Sequence, residues 1–426
     1  MARTMPHASG APTEPDHQPA LTEAAAEAWI PHTCFKTGPP ERVGLELEFL
    51  LHDPADPARG TAHLTSAVVD DARRAGVTSP LTVEPGGQIE ISAPPADGLA
   101  EALSAAARDL ALLEAAAARH GVVLDGTALD PLRGPSRVLD HPRYAAMESH
   151  LDRWGFPGRT MMCSTTSVQV NVEAAHDAGT GPAPDPGRRW HLLHALRPAL
   201  VAAFANSPLR LGRPTGWKST RQAVWLALDP ARTGQPPPTT GDPPGDWARW
   251  ALDCPLLLVR RNGAPWTAPP GVTFRDWLRR PTGAVPGRGA PTTADLDYHL
   301  TTLFPPVRPR GHLEVRYLDA QPGQFWQVPA AVLVALTEDA AAADQALDAV
   351  QPVAGRVIAA ARTGLADPAL RRAALGVLTA AADALRSRTS WRDAARVTES
   401  YLERWTSRGR SPADDLLESA PSRGAA

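Results

Sequence analysis

A chain of 426 residues is long enough for one large domain or two of ordinary size, and 43% apolar residues allow a sizeable core. Basic residues number 43 against 46 acidic ones, a formal charge of −3, which argues against nucleic acid as the main partner. Three widely spaced cysteines, Cys34, Cys163 and Cys254, give no CxxC or Cys/His zinc spacing and fit a reduced, cytoplasmic setting; no apolar run reaches the roughly 18 residues of a membrane span.

Residues 1–20 are polar and contain proline, which predicts a disordered lead. Residues 21–30 read as a short helix capped by Thr22. Arg42-Val43-Gly44-Leu45-Glu46-Leu47-Glu48-Phe49-Leu50 then alternates with period two. As a strand it puts Glu46 and Glu48 on one face and Leu45, Leu47 and Phe49 on the other. Glutamate is depleted in strands, and adjacent carboxylates repel unless a cation lies between them. Residues 64–75 predict a helix. Residues 80–92 predict a hairpin around Glu84-Pro85-Gly86-Gly87, whose second arm presents Glu90.

Leu99, Leu103, Ala106, Leu110, Leu113 and Ala117 recur at helical spacing over 98–119, the mark of a helix packed on a sheet. Val122-Val123-Leu124 reads as a buried strand and 143–152 as a helix. Residues 161–173 alternate again, with Ser167, Gln169 and Asn171 sharing a face suited to a polar ligand; a solvent-facing strand would show the same pattern. Cys163 lies in that stretch and reads as a buried structural thiol. A helix is expected over 188–204.

Gly212-Arg213-Pro214-Thr215-Gly216-Trp217-Lys218-Ser219-Thr220-Arg221 fails the Walker spacing and reads as a basic loop able to touch phosphate. Loops over 233–246 and 281–293 flank a buried strand at 256–260 and a short helix at 273–280. His299 reads as a packing residue. Gly311-His312-Leu313-Glu314-Val315-Arg316-Tyr317 is a third acidic strand, with Glu314 and Arg316 on one face. Residues 327–407 are helical, and 408–426 are expected to form a flexible tail. Strands that precede a helical tail, without βαβ alternation, give an α+β class and a single domain over 21–407.

Three strands that present glutamate to one surface point to oxygen ligation of a hard divalent cation; the plain alternative for any one of them is an exposed strand face. The motifs Gly44-Leu45-Glu46-Leu47-Glu48, Glu84-Pro85-Gly86-Gly87-Gln88-Ile89-Glu90, Val168-Gln169-Val170-Asn171, Phe204-Ala205-Asn206-Ser207-Pro208 and His299 to Phe304 through Leu313-Glu314-Val315-Arg316 resemble the glutamate–cysteine ligase family. The resemblance is to its plant-type branch and to the actinobacterial type of the ergothioneine pathway. It covers about residues 40 to 330.

The resemblance implies a glutamine-synthetase-like carboxylate–amine ligase fold, with a curled antiparallel sheet of about six strands forming a funnel backed by helices. It implies that ATP phosphorylates the γ-carboxylate of L-glutamate and that the L-cysteine amine displaces phosphate, giving γ-glutamylcysteine. Roughly two or three Mg or Mn ions would neutralise the anionic reactants. Carried over by position, Glu46, Glu48, Glu90 and Glu314 are metal ligands, with Gln169 where the bacterial branch has a metal-binding histidine. Asn171 would hold phosphate or metal-bound water. Arg316 suits the transferring phosphoryl group, Arg221 phosphate or the glutamate α-carboxylate, and Lys218 the nucleotide. Glu84 either joins them or only shapes its turn. Ligation to another amine, a catalytically silent paralogue and a kinase on the same fold remain the alternatives.

Overall fold

The alternation at Arg42–His52 is realised as the central strand, β1, of a seven-stranded sheet. In chain order the other strands are β2 (Leu81–Val83), β3 (Ile89–Asp97), β4 (Val123–Asp125), β5 (Ser167–Val172), β6 (Val307–Pro309) and β7 (Leu313–Asp319). Their lateral order is β6-β7-β5-β1-β3-β2, with β4 paired to the end of β1, and every pairing is antiparallel. The computed structural model describes residues 20–39, 41–176, 186–238 and 240–420. The expected lead, 1–20, lies outside them except for Ala20.

The sheet is apolar on one face and polar on the other. Leu45, Leu47, Val168, Val170, Ile89, Ile91, Leu313 and Val315 enter a core covered by the helices Leu99–Arg119 and Gln327–Glu338. Behind these pack Pro368–Ser387 and Arg392–Arg404, so the expected helical tail forms the back of the molecule. Burial of so many aliphatic side chains, each worth about 1.5–3 kcal/mol, fixes which face of each strand turns inward. The polar face is thereby decided as well.

Several expectations need correction. The sheet has seven strands where about six were expected, and Val307–Pro309 pairs back on β7. Residues 161–173 are not one strand. Met161, Met162 and Cys163 close the helix Phe156–Ser164, which starts with Pro157 in its first turn, and the strand begins only at Ser167 where valines alternate. Residues 256–259 are buried but form no strand, only an isolated bridge of Leu258 with Thr267. Val123 in β4 is 45% exposed, since β4 covers only the end of β1. The expected loop over 233–246 gives way at Pro243 to a helix running to Asp253. Of the expected loose tail over 408–426, residues 421–426 lie outside the described ones, and the part before them holds the helix Pro412–Ser419, which starts with a capping box between Ser411 and Asp414 and buries Ala413.

Candidate active site

Register sets the polar face residue by residue. Glu48 stands opposite Glu90, and Glu46 opposite Ser92 on one side and Gln169 on the other. Gly44 stands opposite Asn171, which stands opposite Glu314. A Cβ on Gly44 would lie 3.3 Å from the Asn171 Cβ, so glycine here makes room for the amide. The turn before β3 is pressed against its neighbour in the same way: a Cβ on Gly86 would lie 2.0 Å from the Cys163 carbonyl oxygen.

Four carboxylates make up the acidic half. Glu90 is buried and accepts from Ser92 Oγ at 2.6 Å and Thr82 Oγ1 at 3.1 Å. Gln169 Nε2 donates to Glu48 at 2.7 Å, and Asn171 Nδ2 to Glu46 at 3.3 Å. Burial, then repulsion from Glu314 and Glu90, pushes Glu46 up to about 8. Burial also raises Glu48, although Arg221 opposes it, and raises Glu90, with Glu48 adding repulsion. Glu84 is raised well above the usual carboxylate range by burial and by Glu90 and Glu48, so it belongs to the same electrostatic group.

None of these four forms an ion pair among the described residues, whereas Glu314 forms three. The buried Asn171 Oδ1 beside Glu46 has no hydrogen-bond partner. Oxygen donors with uncompensated charge and an orphaned amide oxygen fit a hard divalent cation. Among the described residues, no three acidic, histidine or cysteine side chains already converge on a single ion position.

The other half is organised by arginines. Glu314 is fully buried, and the guanidinium of Arg308 grips it at 2.8 and 2.9 Å. Arg316 donates to the same carboxylate and, at 2.6 Å, to Gln169 Oε1. Burial alone would raise Glu314, but Arg308 first, then Arg316 and Arg310, hold it far below the usual carboxylate range. Burial pulls Arg308 down to about 10. Arg221 reaches the group from the helix Thr220–Leu226. It is 3% exposed and donates Nη2 to the Arg316 carbonyl at 2.8 Å. Its Nε and Nη1, and Nε of Arg316, have no hydrogen-bond partner. Arg221 Nη1 lies 3.7 Å from Asp319 Oδ1, so the buried N–H groups left to receive an anion are Nε of Arg221 and Nε of Arg316.

The structure therefore brings together Glu46, Glu48, Glu90, Glu314, Gln169, Asn171, Arg316 and Arg221, and adds Glu84. It does not bring Lys218 to them. That ammonium binds Asp414 of the last helix at 2.6 Å. His299 packs as expected: buried, bonded to the Ala251 carbonyl and pulled down to about 3 by burial. The three cysteines are free and buried; burial pushes Cys34 and Cys163 up to about 12 and Cys254 up to about 11.

Sequence reasoning missed Arg308 and Asp319. Arg308 was legible in principle, because the tight turn between β6 and β7 places it opposite Glu314. Asp319 carried no signal beyond its position at the end of an apolar strand.

The family model described as glutamate-cysteine ligase family 2 (GCS2) matches residues 42–426. The glutamate–cysteine ligase EgtA of Mycobacterium tuberculosis is 45% identical over 376 residues, covering 86% of this chain and 85% of that protein. The EgtA of Mycolicibacterium smegmatis is 44% identical over 410 residues, covering 94% and 92%. The chloroplastic glutamate–cysteine ligase of Medicago truncatula is 34% identical over 57% of this chain and 47% of that protein. Among solved structures, a glutamate–cysteine ligase of Francisella tularensis in complex with AMP superposes with a TM-score of 0.52 at 12% identity, covering 92% of this chain and 86% of that one. At that identity the likeness concerns the fold.

Proposed function

The chain belongs to glutamate–cysteine ligase family 2, and from that premise we propose that it joins the γ-carboxylate of L-glutamate to the amino group of L-cysteine at the expense of ATP, supplying γ-glutamylcysteine for ergothioneine. The γ-phosphoryl group passes to the glutamate γ-carboxylate and releases ADP. The cysteine amine attacks the acyl carbon, loses a proton and expels phosphate, leaving the amide. The observation that carries this reading is the division of one sheet face into uncompensated carboxylates and anion-ready arginines.

Glu46, Glu48 and Glu90 would hold Mg, with Asn171 Oδ1 and Glu84 beside them. Bound there, the cation would neutralise phosphate oxygens next to an anionic nucleophile. Arg221 and Arg316 bind the phosphoryl group and the substrate carboxylate through N–H groups that make no hydrogen bond among the described residues. Glu314 and Gln169, expected as further ligands, contribute chiefly by orienting Arg316, because their oxygens are occupied by guanidinium groups. Lys218 has no place in this reading.

The finer fold assignment, a glutamine-synthetase-like funnel in a single catalytic domain, is supported by one antiparallel sheet that carries Glu46, Glu48, Glu90 and Glu314 on a common face. A reducing cytoplasm is supported by three free buried cysteines. No helix among the described residues is long and apolar enough to cross a membrane.

The test is ADP release with ATP, Mg and L-glutamate while amino acids are added singly, with the product weighed by mass spectrometry. Turnover that requires L-cysteine and yields γ-glutamylcysteine is expected. Turnover with a different amine moves the chain to another ligase specificity, and phosphorylation without any amine makes it a kinase.

A further inference from the structure

Asp319 ends β7 and is 2% exposed. Its Oδ2 accepts from the Asn206 N–H at 3.0 Å and from Ser207 Oγ at 2.8 Å, and its Oδ1 accepts from Ser219 Oγ at 2.9 Å. Each serine hydroxyl has one proton, and both protons point at this carboxylate. Their lone pairs are therefore turned toward the helix that carries Arg221. Ser207 Oγ accepts from the Arg221 N–H at 3.1 Å, and Ser219 Oγ, the N-cap, accepts from the Gln222 N–H at 3.1 Å.

The same carboxylate also touches the side chain it supports. Asp319 Oδ1 lies 3.7 Å from Arg221 Nη1, an ion pair in which both partners are buried. One residue thus sets the backbone of the first helical turn through two hydroxyls and the guanidinium plane through its charge. The far end of that guanidinium is fixed by the Arg316 carbonyl. Between these two fixings, Nε and Nη1 make no hydrogen bond.

We propose that Asp319 is the positioning residue of Arg221: through Ser207, Ser219 and its own charge, it holds the guanidinium where a substrate anion arrives. This rests on the reading of Arg221 as an anion-binding group. It predicts that removing the charge at Asp319 matters only while Arg221 is present.

The experiment is a double-mutant cycle on the full chain, with wild type, Asp319→Asn, Arg221→Met and the double variant, read as ADP release and KM for each substrate. Asp319→Asn is expected to lower kcat by about 10²-fold in the wild-type background and by less than about 3-fold beside Arg221→Met. KM for L-cysteine should stay within about twofold, because the loss concerns the phosphoryl end. Equal losses in the two backgrounds would show a merely structural carboxylate and overturn the proposal. Full activity of Arg221→Met would overturn it too, since nothing would remain to position. If Asp319→Asn does not fold, the same cycle with Ser207→Ala is expected to show a roughly tenfold, non-additive loss, and an additive one overturns the idea. Failure of the ligase reading shows differently, as no amide product from the wild type.

Discussion

Glu46 and Glu314 stand on the same face of one sheet with only β5 between their strands, and they behave in opposite ways. Glu314 is fully buried and Glu46 half-buried, and loss of water by itself raises a carboxylate. At Glu314 three arginines overcome burial and the group is held ionised. At Glu46 the nearest strong influences are other carboxylates, and the group is pushed up to about 8. The acidic half has no cationic partner among the described residues, while in the other half Glu314 is fully paired and Nε of Arg221 and of Arg316 are left without a hydrogen bond.

The comparison breaks most visibly at Glu48. Glu48→Gln should lower turnover by about 10³-fold while the thermal midpoint holds or rises, because a repelling charge has gone. A midpoint that falls steeply would mean that Glu48 is already compensated within the protein. On the other side, Arg308→Met should cost about 3 kcal/mol in urea unfolding, since it removes the two-pronged partner of a buried carboxylate that Arg316 and Arg310 hold less fully, and Arg308→Met with Glu314→Met should recover most of it. If the double variant were as unstable as the single, the grip on Glu314 would not explain the stability of that half.

Two histidines sharpen the point that partners, not burial, decide the sign. His299 has only a carbonyl and is pulled down to about 3. His52, at the end of β1, is buried too, but Asp125 at 2.9 Å and Asp130 at 3.8 Å overcome burial and lift it to about 9. Its folded pKa lies above the ordinary 6.5, so its stabilisation is complete below that value and is lost as pH rises through about 9. Urea unfolding of wild type should weaken on the order of 2–3 kcal/mol more than that of His52→Gln between pH 6.5 and 9. Parallel curves for the two proteins would remove this role.

The smallest effect is expected at Lys218. Lys218→Ala should leave kcat within about threefold and cost no more than about 1 kcal/mol, the value of a partly exposed ion pair. A hundredfold fall in kcat would mean that the ammonium leaves Asp414 to reach the nucleotide.

The sequence alone determined a good deal. Period-two alternation marked β1 and the ends of β3 and β7, and with it the face that carries Glu46, Glu48, Glu90, Glu314 and Arg316, because in a strand the neighbour of a core residue must point away from the core. Helical spacing over Leu99–Arg119 was equally legible. At 161–173 the alternation misled, since Met161 to Cys163 fit a buried helix as well as a strand. What only the tertiary structure decided was charge compensation. Whether a buried glutamate is met by a guanidinium or by another glutamate depends on strand order and register. Arg308 reaches Glu314 across a hairpin, Arg221 arrives from a helix about 95 residues away in the chain, and Lys218, three residues before it, is claimed by the last helix. Coulomb energy falls with distance through space, and spacing along the chain does not encode it.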